Sequence, residues 1–455
     1  MRAIYFLLLA TLLSSFWKVI TTLRRRHKVL TPILGWIVGL GFFLVTPLTL
    51  VVINGGYEYP FFYGMNEMYA KVDLSNTRYF IPFLTIWVSL MFSFTVVLLF
   101  APRNSGKRGP HEIVLEESKL ERVILIAAAL TLLDCFIVVW LAGGLEGFLL
   151  SSWYLRGVDL GTRLGERYTF YVWLSTANQT VFTAATVLYS HSQVRTRNVK
   201  WRFSLLILTL FILHMVVNGE RIFFALFLVS LITSFWLYGR KRLIAALLMI
   251  APVLAFVFSA WAYFRNDITK IGENFSSYME QDLGNRAVTN LMDACDGSDT
   301  LILFHIIDDF GEKYDYMYGE SYARVFFFMV PRSFYPEKPE RFTVHLAKIY
   351  EPGATTSLAA TQLGELYANF GVLSVILLPL ITTLILWLSE SVTRQIEKRI
   401  LVSAVVFLLL IWSARATFED NLINFLFTLL LIWGLRLGQG LCPTEPPVKA
   451  LAAVS

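Results

Sequence analysis

Residues 79–101 read YFIPFLTIWVSLMFSFTVVLLFA, an apolar stretch without one Asp, Glu, Lys or Arg. Wound as a helix at ~1.5 Å per residue, it covers the ~30 Å of hydrocarbon in a bilayer. Working outward, the same test marks spans near 3–20, 30–53, 122–143, 168–190, 203–219, 222–238, 243–264, 371–389, 400–415 and 422–437. The reading is an all-α, polytopic membrane protein of about eleven transmembrane helices. The run at 3–20 has no A-x-A-like cleavage site and is expected to stay as a helix.

Composition agrees. Of 455 residues, 56% are hydrophobic and 16% charged, with mean hydropathy +0.60. A soluble chain of this size needs more charge to cover its surface. The 15% aromatic content suits interfacial belts, where Trp and Tyr keep one wet end. The net charge of +6 is no nucleic-acid signal, because membrane proteins collect Lys and Arg in short cytoplasmic loops. Cys135, Cys295 and Cys442 fall in a helix, an outer loop and the tail, so no pairing is expected. No CxxC or Cys/His cluster points to a metal.

Every second connection is basic: 18–28 with its RRRHK, 102–122, 191–202, 240–242 and 394–399. With Arg436 and Lys449 these hold more than half of the 39 Lys and Arg. The positive-inside rule then places the N-terminus outside and the C-terminus inside. Helices 1–8 occupy 1–264, a large extracytoplasmic loop 265–370, helices 9–11 371–437, and a cytoplasmic tail 438–455. A loop of that length is usually functional. Its semi-apolar pieces, Thr300–Ile307 and Tyr322–Val330, are too short to span and are expected as short helices on or dipping into the interface.

Arginines on the outer face, where the rule expects few, need a reason. Arg221 ends Asn218-Gly219-Glu220-Arg221, a tight turn between two helices. It is either a snorkelling side chain paired with Glu220 or lipid phosphate, or an anion site, since a guanidinium grips phosphate bidentately. Arg415 repeats the arrangement near the outer end of the tenth helix, before Glu419 and Asp420. A neighbouring acid or a bound diphosphate would compensate it. Arg156, Arg163 and Arg167 share one helix face within about 40°, as interfacial anchors or as a site, although Gly157, Gly161 and Gly165 weaken that helix.

Val330–Arg341 reads VPRSFYPEKPER, whose three prolines forbid a regular helix and hold Arg332 and Lys338 on a rigid element. Gly364–Gly371, GELYANFG, leads into the ninth helix; Glu365 is either a solvated loop carboxylate or a functional acid against the membrane. Asp293, Asp296 and Asp299 lack EF-hand spacing and are expected as a turn with helix-capping acids. Asp134, in mid-helix, is a proton-relay candidate or a buried acid satisfied by Asn178 or Gln179, and His214 is expected as a packed core residue. Neither GxxxxGK[ST] nor GxGxxG after a strand occurs, so nothing supports nucleotide-driven transport.

The strings Asn218–Arg221, Val330–Pro339, Gly364–Gly371 and Arg415 together resemble the Wzy-type bacterial polysaccharide polymerases, among them the O-antigen and enterobacterial common antigen polymerases. Helix number, chain length and the large late loop match as well. Glu220 departs from the small or hydroxyl residue that relatives often carry in that turn.

The resemblance implies a glycosyltransferase-C-like fold in the bacterial inner membrane and an inverting, metal-independent glycosyl transfer without cofactor. The substrates would be undecaprenyl-diphosphate-linked oligosaccharides, both donor and acceptor, met among membrane lipids and without nucleic acid. A Wzz-type chain-length regulator is an implied partner. On this reading Arg221, Arg415, Arg332 and Lys338 bind diphosphate, and Arg156, Arg163 and Arg167 hold the second lipid diphosphate. Glu365 is the candidate general base, with His345 behind it. The alternatives are a lipid-linked oligosaccharide flippase or transporter, and an O-antigen ligase.

Overall fold

The computed structural model describes residues 1–26, 31–58, 71–101, 117–141, 201–218, 295–327, 333–350, 358–393 and 406–422, with shorter pieces and isolated positions between 143 and 292, Val330 and 424–426. It is mostly helical. The long elements are α1 (Arg2–Arg26), α2 (Pro32–Leu40), α3 (Thr46–Asn54), α4 (Phe80–Phe100), α5 (Glu117–Leu141) and α6 (Trp201–Asn218). They are followed by α7 (Gly297–Asp309), α8 (Glu320–Ala323), α9 (Phe342–Tyr350), α10 (Gln362–Phe370) and α11 (Ser374–Thr393). Five stretches are long and apolar enough to cross a membrane: Arg2–Leu23, Pro32–Asn54, Thr77–Phe100, Leu120–Leu141 and Gln362–Ser389. This is a helical membrane protein. A two-stranded antiparallel hairpin, β1 (Gly56–Glu58) with β2 (Lys71–Asp73), follows α3.

In a bilayer, lipid tails are as apolar as leucine, so helices associate through close packing and hydrogen bonds. Both devices are present. A Cβ added at Gly35 would lie 2.0 Å from the Phe407 carbonyl oxygen, and one at Gly39 2.5 Å from that of Ile411. The missing side chains let α2 lie against the helical run 406–413, parallel to it. α11 passes α2 in the opposite sense: the Ile33 amide donates to Ser389 Oγ at 2.6 Å, and Trp36 Nε1 to Thr382 Oγ1 at 2.9 Å. α1 runs parallel to α4. Tyr5 packs on Phe83, Trp87 Nε1 donates to the Leu8 carbonyl, and Phe16 packs on Phe94.

Between α2 and α3 the chain widens into a π-helical turn, Gly41–Val45. Pro47 has no N–H to offer the carbonyl four residues back, that of Phe43. Thr300 supplies the missing donor, its hydroxyl giving 3.0 Å to Phe43 O. One end of α7 therefore reaches the middle of Pro32–Asn54. At its other end Arg78 pairs with Asp308 and Asp309, beside the start of α4. α7 thus dips into the bundle from the end that carries Asn54 and Thr77. Of the two semi-apolar loop pieces, one is this dipping helix; the other forms α8 and the 3-10 turn Arg324–Phe327.

Candidate functional site

Three parts of the chain far apart in sequence meet where α7 enters the bundle. α10 starts at Thr361, whose hydroxyl accepts from the Gly364 amide, and it buries Leu363, Leu366 and Tyr367. This places Glu365 inside, at 1% exposure. Ser321 Oγ donates to one of its oxygens at 2.7 Å and the Phe418 amide to the other at 2.6 Å. The Gln362 amide donates to Ala414 O, and Asn421 Nδ2 to Gln362 Oε1. α8, α10 and 414–421 are therefore bound into one unit. Glu365 is no solvated loop carboxylate; its two oxygens pin two neighbouring segments.

The same unit is closed by cations. Arg324 Nε meets Glu419 at 2.6 Å, both side chains nearly buried, and its Nη1 donates to Pro339 O. Arg341 pairs with Asp420 at 2.5 Å. Lys338 is buried and turns inward, its ammonium donating to Val330 O at 3.0 Å. The proline string is thus strapped onto the end of the bundle by its flanking bases. His345 lies half-buried on α9, its amide donating to Arg341 O one turn earlier.

Arg415 lies deeper than its place in the sequence suggests. A Cβ on Gly39 would sit 3.0 Å from that of Ala414, so the run 406–413 ends level with the middle of Pro32–Asn54. There Arg415 Nε contacts Asp299 at 2.8 Å and Asp296 at 3.1 Å, with the guanidinium over the Trp412 ring. Glu419 and Asp420, the acids expected to compensate it, go instead to Arg324 and Arg341. Asp296 does stand at the cap position of α7, but its carboxylate makes no cap bond and reaches Arg415. Burial pushes the Asp299 carboxyl up to about 7; the Arg415 charge opposes the rise and Asp296 adds to it.

A second charged knot holds the other end of α7. Asp309 takes Arg78 Nη2 at 3.1 Å and Lys313 Nζ at 2.5 Å. His305, one turn back, is buried, its Nε2 3.2 Å from Lys71 O, and burial lowers its pKa to about 4. Asn178 Nδ2 donates to Asp134 on α5 at 3.1 Å, as the sequence allowed. Thr131 Oγ1 donates to Asn178 Oδ1 and lies 3.2 Å from His214 Nε2. His214 is packed against Phe182.

Of the expected site residues, the fold brings Glu365 and Lys338 to one end of the bundle, with Arg415 deeper beneath them and His345 on an adjoining helix. Arg156, Arg163, Arg167, Arg221 and Arg332 lie outside the described residues. Sequence reading missed Arg324 and Arg341. The signal was a lone arginine inside YARVFFFMV and another ending the proline string. Among the described residues, no group of three or more His, Cys, Asp or Glu is arranged to hold a metal ion. No protein-family model, curated protein or solved structure matches this chain.

Proposed function

We propose that this chain is a glycosyltransferase that polymerises undecaprenyl-diphosphate-linked oligosaccharide repeat units, in O-antigen or related surface-polysaccharide synthesis. In this reading it sits in a bacterial inner membrane as about eleven helices, N-terminus out and C-terminus in. The large loop then faces the periplasm. The helix directions support the alternation of spans on which that arrangement rests: α1 and α4 run one way with α11, while α2 and 406–413 run the other.

One observation carries the proposal. Three of the four strings that make the resemblance, 330–339, 364–371 and Arg415, are separated by dozens of residues yet interlock through Arg324, Glu365 and Gln362. In the inverting step, an acceptor hydroxyl attacks the anomeric carbon of the donor. The bond to the lipid diphosphate breaks, the diphosphate leaves with the electron pair, and the hydroxyl proton passes to a base. Cations fixed beforehand stabilise the charge growing on the leaving group. Arg221 and Arg332 take that role here, with Arg415 at the floor. The buried Glu365 holds the wall together, so His345 takes the proton.

The test is a gel of surface polysaccharide from a strain lacking the gene, complemented with variants whose membrane levels are matched. Arg221→Ala should abolish long-chain polymer and leave single-repeat caps, with poor rescue by Arg221→Lys. His345→Ala should do the same, whereas Glu365→Gln, which keeps an acceptor for Ser321, should retain polymer. Wild-type ladders from Arg221→Ala and His345→Ala would end the assignment. Polymer stranded on the carrier lipid in the null strain would mean a ligase. The Asp134–Asn178–Thr131–His214 chain favours a second reading, a flippase or transporter; there the null strain would keep its units inside.

A further inference from the structure

From the end of α7 to the start of α8 the chain reads Phe310-Gly311-Glu312-Lys313-Tyr314-Asp315-Tyr316-Met317-Tyr318-Gly319-Glu320, with a tyrosine at every second position from 314 to 318. Three rings form a ladder from the bundle to the surface. Tyr367 meets Tyr316 edge-on at 6.3 Å, and Tyr316 meets Tyr318 at 6.2 Å. Tyr318 itself is 79% exposed. Two glycines make room for the middle ring: a Cβ at Gly371 would lie 2.8 Å from Tyr316, and one at Gly311 2.3 Å from its hydroxyl.

The outermost ring is held on a backbone that tyrosine rarely adopts. Tyr318 has φ +48°, a left-handed conformation uncommon outside glycine, asparagine and aspartate. Hydrogen bonds fix it there. Met317 and Tyr318 amides donate to Ala368 O and Asn369 O, and the Gly319 amide to Asn369 Oδ1. Asn369 is in turn buried and anchored to Ser321 Oγ and Glu365 O. A strained backbone, cleared space and a buried anchor all present one aromatic face to the outside. Such outliers persist where function uses them.

We propose that Tyr318, buttressed by Tyr316 and Tyr367, is a stacking platform for a pyranose ring of a glycan chain. The C–H face of a sugar ring is apolar and slightly positive, matching the negative face of an aromatic ring. Asp315 and Glu320, exposed three residues before and two after Tyr318, offer carboxylates that can accept hydrogen bonds from sugar hydroxyls. A tyrosine resting among lipid headgroups favours cationic neighbours; here the one cation of the loop, Lys313, is paired with Asp309, and Glu312, Asp315 and Glu320 repel phosphates. A rigid ring also loses little freedom on binding, which favours a weak, repeating ligand. The choice of a glycan as occupant rests on the polymerase reading.

The experiment uses the full chain in lipid nanodiscs, over immobilised oligosaccharides of glucose, galactose, mannose, rhamnose and N-acetylhexosamines. The wild type should be retained by at least one class. Tyr318→Ala should weaken that retention by about tenfold or more, the scale of losing one stacked ring. Tyr318→Phe should keep it, since stacking needs the ring and not the hydroxyl. Phe326→Ala, which removes another exposed ring, should leave it unchanged. Equal binding by Tyr318→Ala, equal loss in Phe326→Ala, or no retention of the wild type would each overturn the platform. A wild type that binds sugars but restores no polymer to the null strain would overturn the polymerase reading alone.

Discussion

The membrane helices and the cap of short segments around α7 and α10 are held together by opposite means. Where α2 meets 406–413, contact is made by what is absent: glycines at 35 and 39 bring backbone to backbone. Where α8, α10 and 414–421 meet, contact is made by charge, with Arg324, Arg341 and Arg415 each answered by a carboxylate from a distant part of the chain. The difference follows from the surroundings. Lipid offers no hydrophobic drive between helices, so fit decides. At the rim, buried charges are tolerable only in pairs, and each pair fixes which segments adjoin.

That contrast can be broken from the charged side first. Arg324→Ala should be the most damaging single change, because it leaves the buried Glu419 with only Arg341, 3.9 Å away, and Pro339 O without its donor; a loss of about 3 kcal/mol is expected. Thermal unfolding in detergent reads it, and a shift of under one degree would mean the strap carries no weight. From the fitted side, Gly35→Ala should cost about 1–3 kcal/mol, because its neighbour is a backbone carbonyl that cannot rotate away.

Proton concentration gives a finer test. Asp299 binds its proton more tightly folded than unfolded, so the folded chain carries extra protons between about pH 4 and about 7. Stability should therefore fall as pH rises through that window and level off above it. Asp299→Asn should flatten the slope, and a slope left intact would point to another group. The smallest effect belongs to Thr382→Val. It removes the acceptor for Trp36 Nε1, and hydrogen bonds between membrane helices are worth only about 0.6 kcal/mol on average.

Apolar length alone made the helices at Arg2–Leu23, Pro32–Asn54, Thr77–Phe100 and Leu120–Leu141 legible, each within a few residues of its expected ends. α10 was read as loop because GELYANF is too polar to span. Its signal was the Thr361 cap and the spacing of Leu363, Leu366, Tyr367 and Phe370, a stripe for burial against α7 rather than against lipid. The partners of Arg415 were not legible at all. Asp299 stands 116 residues away, and a nearby Glu419 offered the simpler pairing. Asp134 and Asn178 fared better, since elements close in sequence usually adjoin and a buried acid must find a donor.

The π-turn at Gly41–Val45 has a consequence for how the chain is made. Its Phe43 carbonyl is answered by Thr300, which the ribosome delivers 257 residues later. Until then the turn lacks the hydroxyl that meets it in the finished fold, so its closure against α7 waits on chain made long after the second hydrophobic segment.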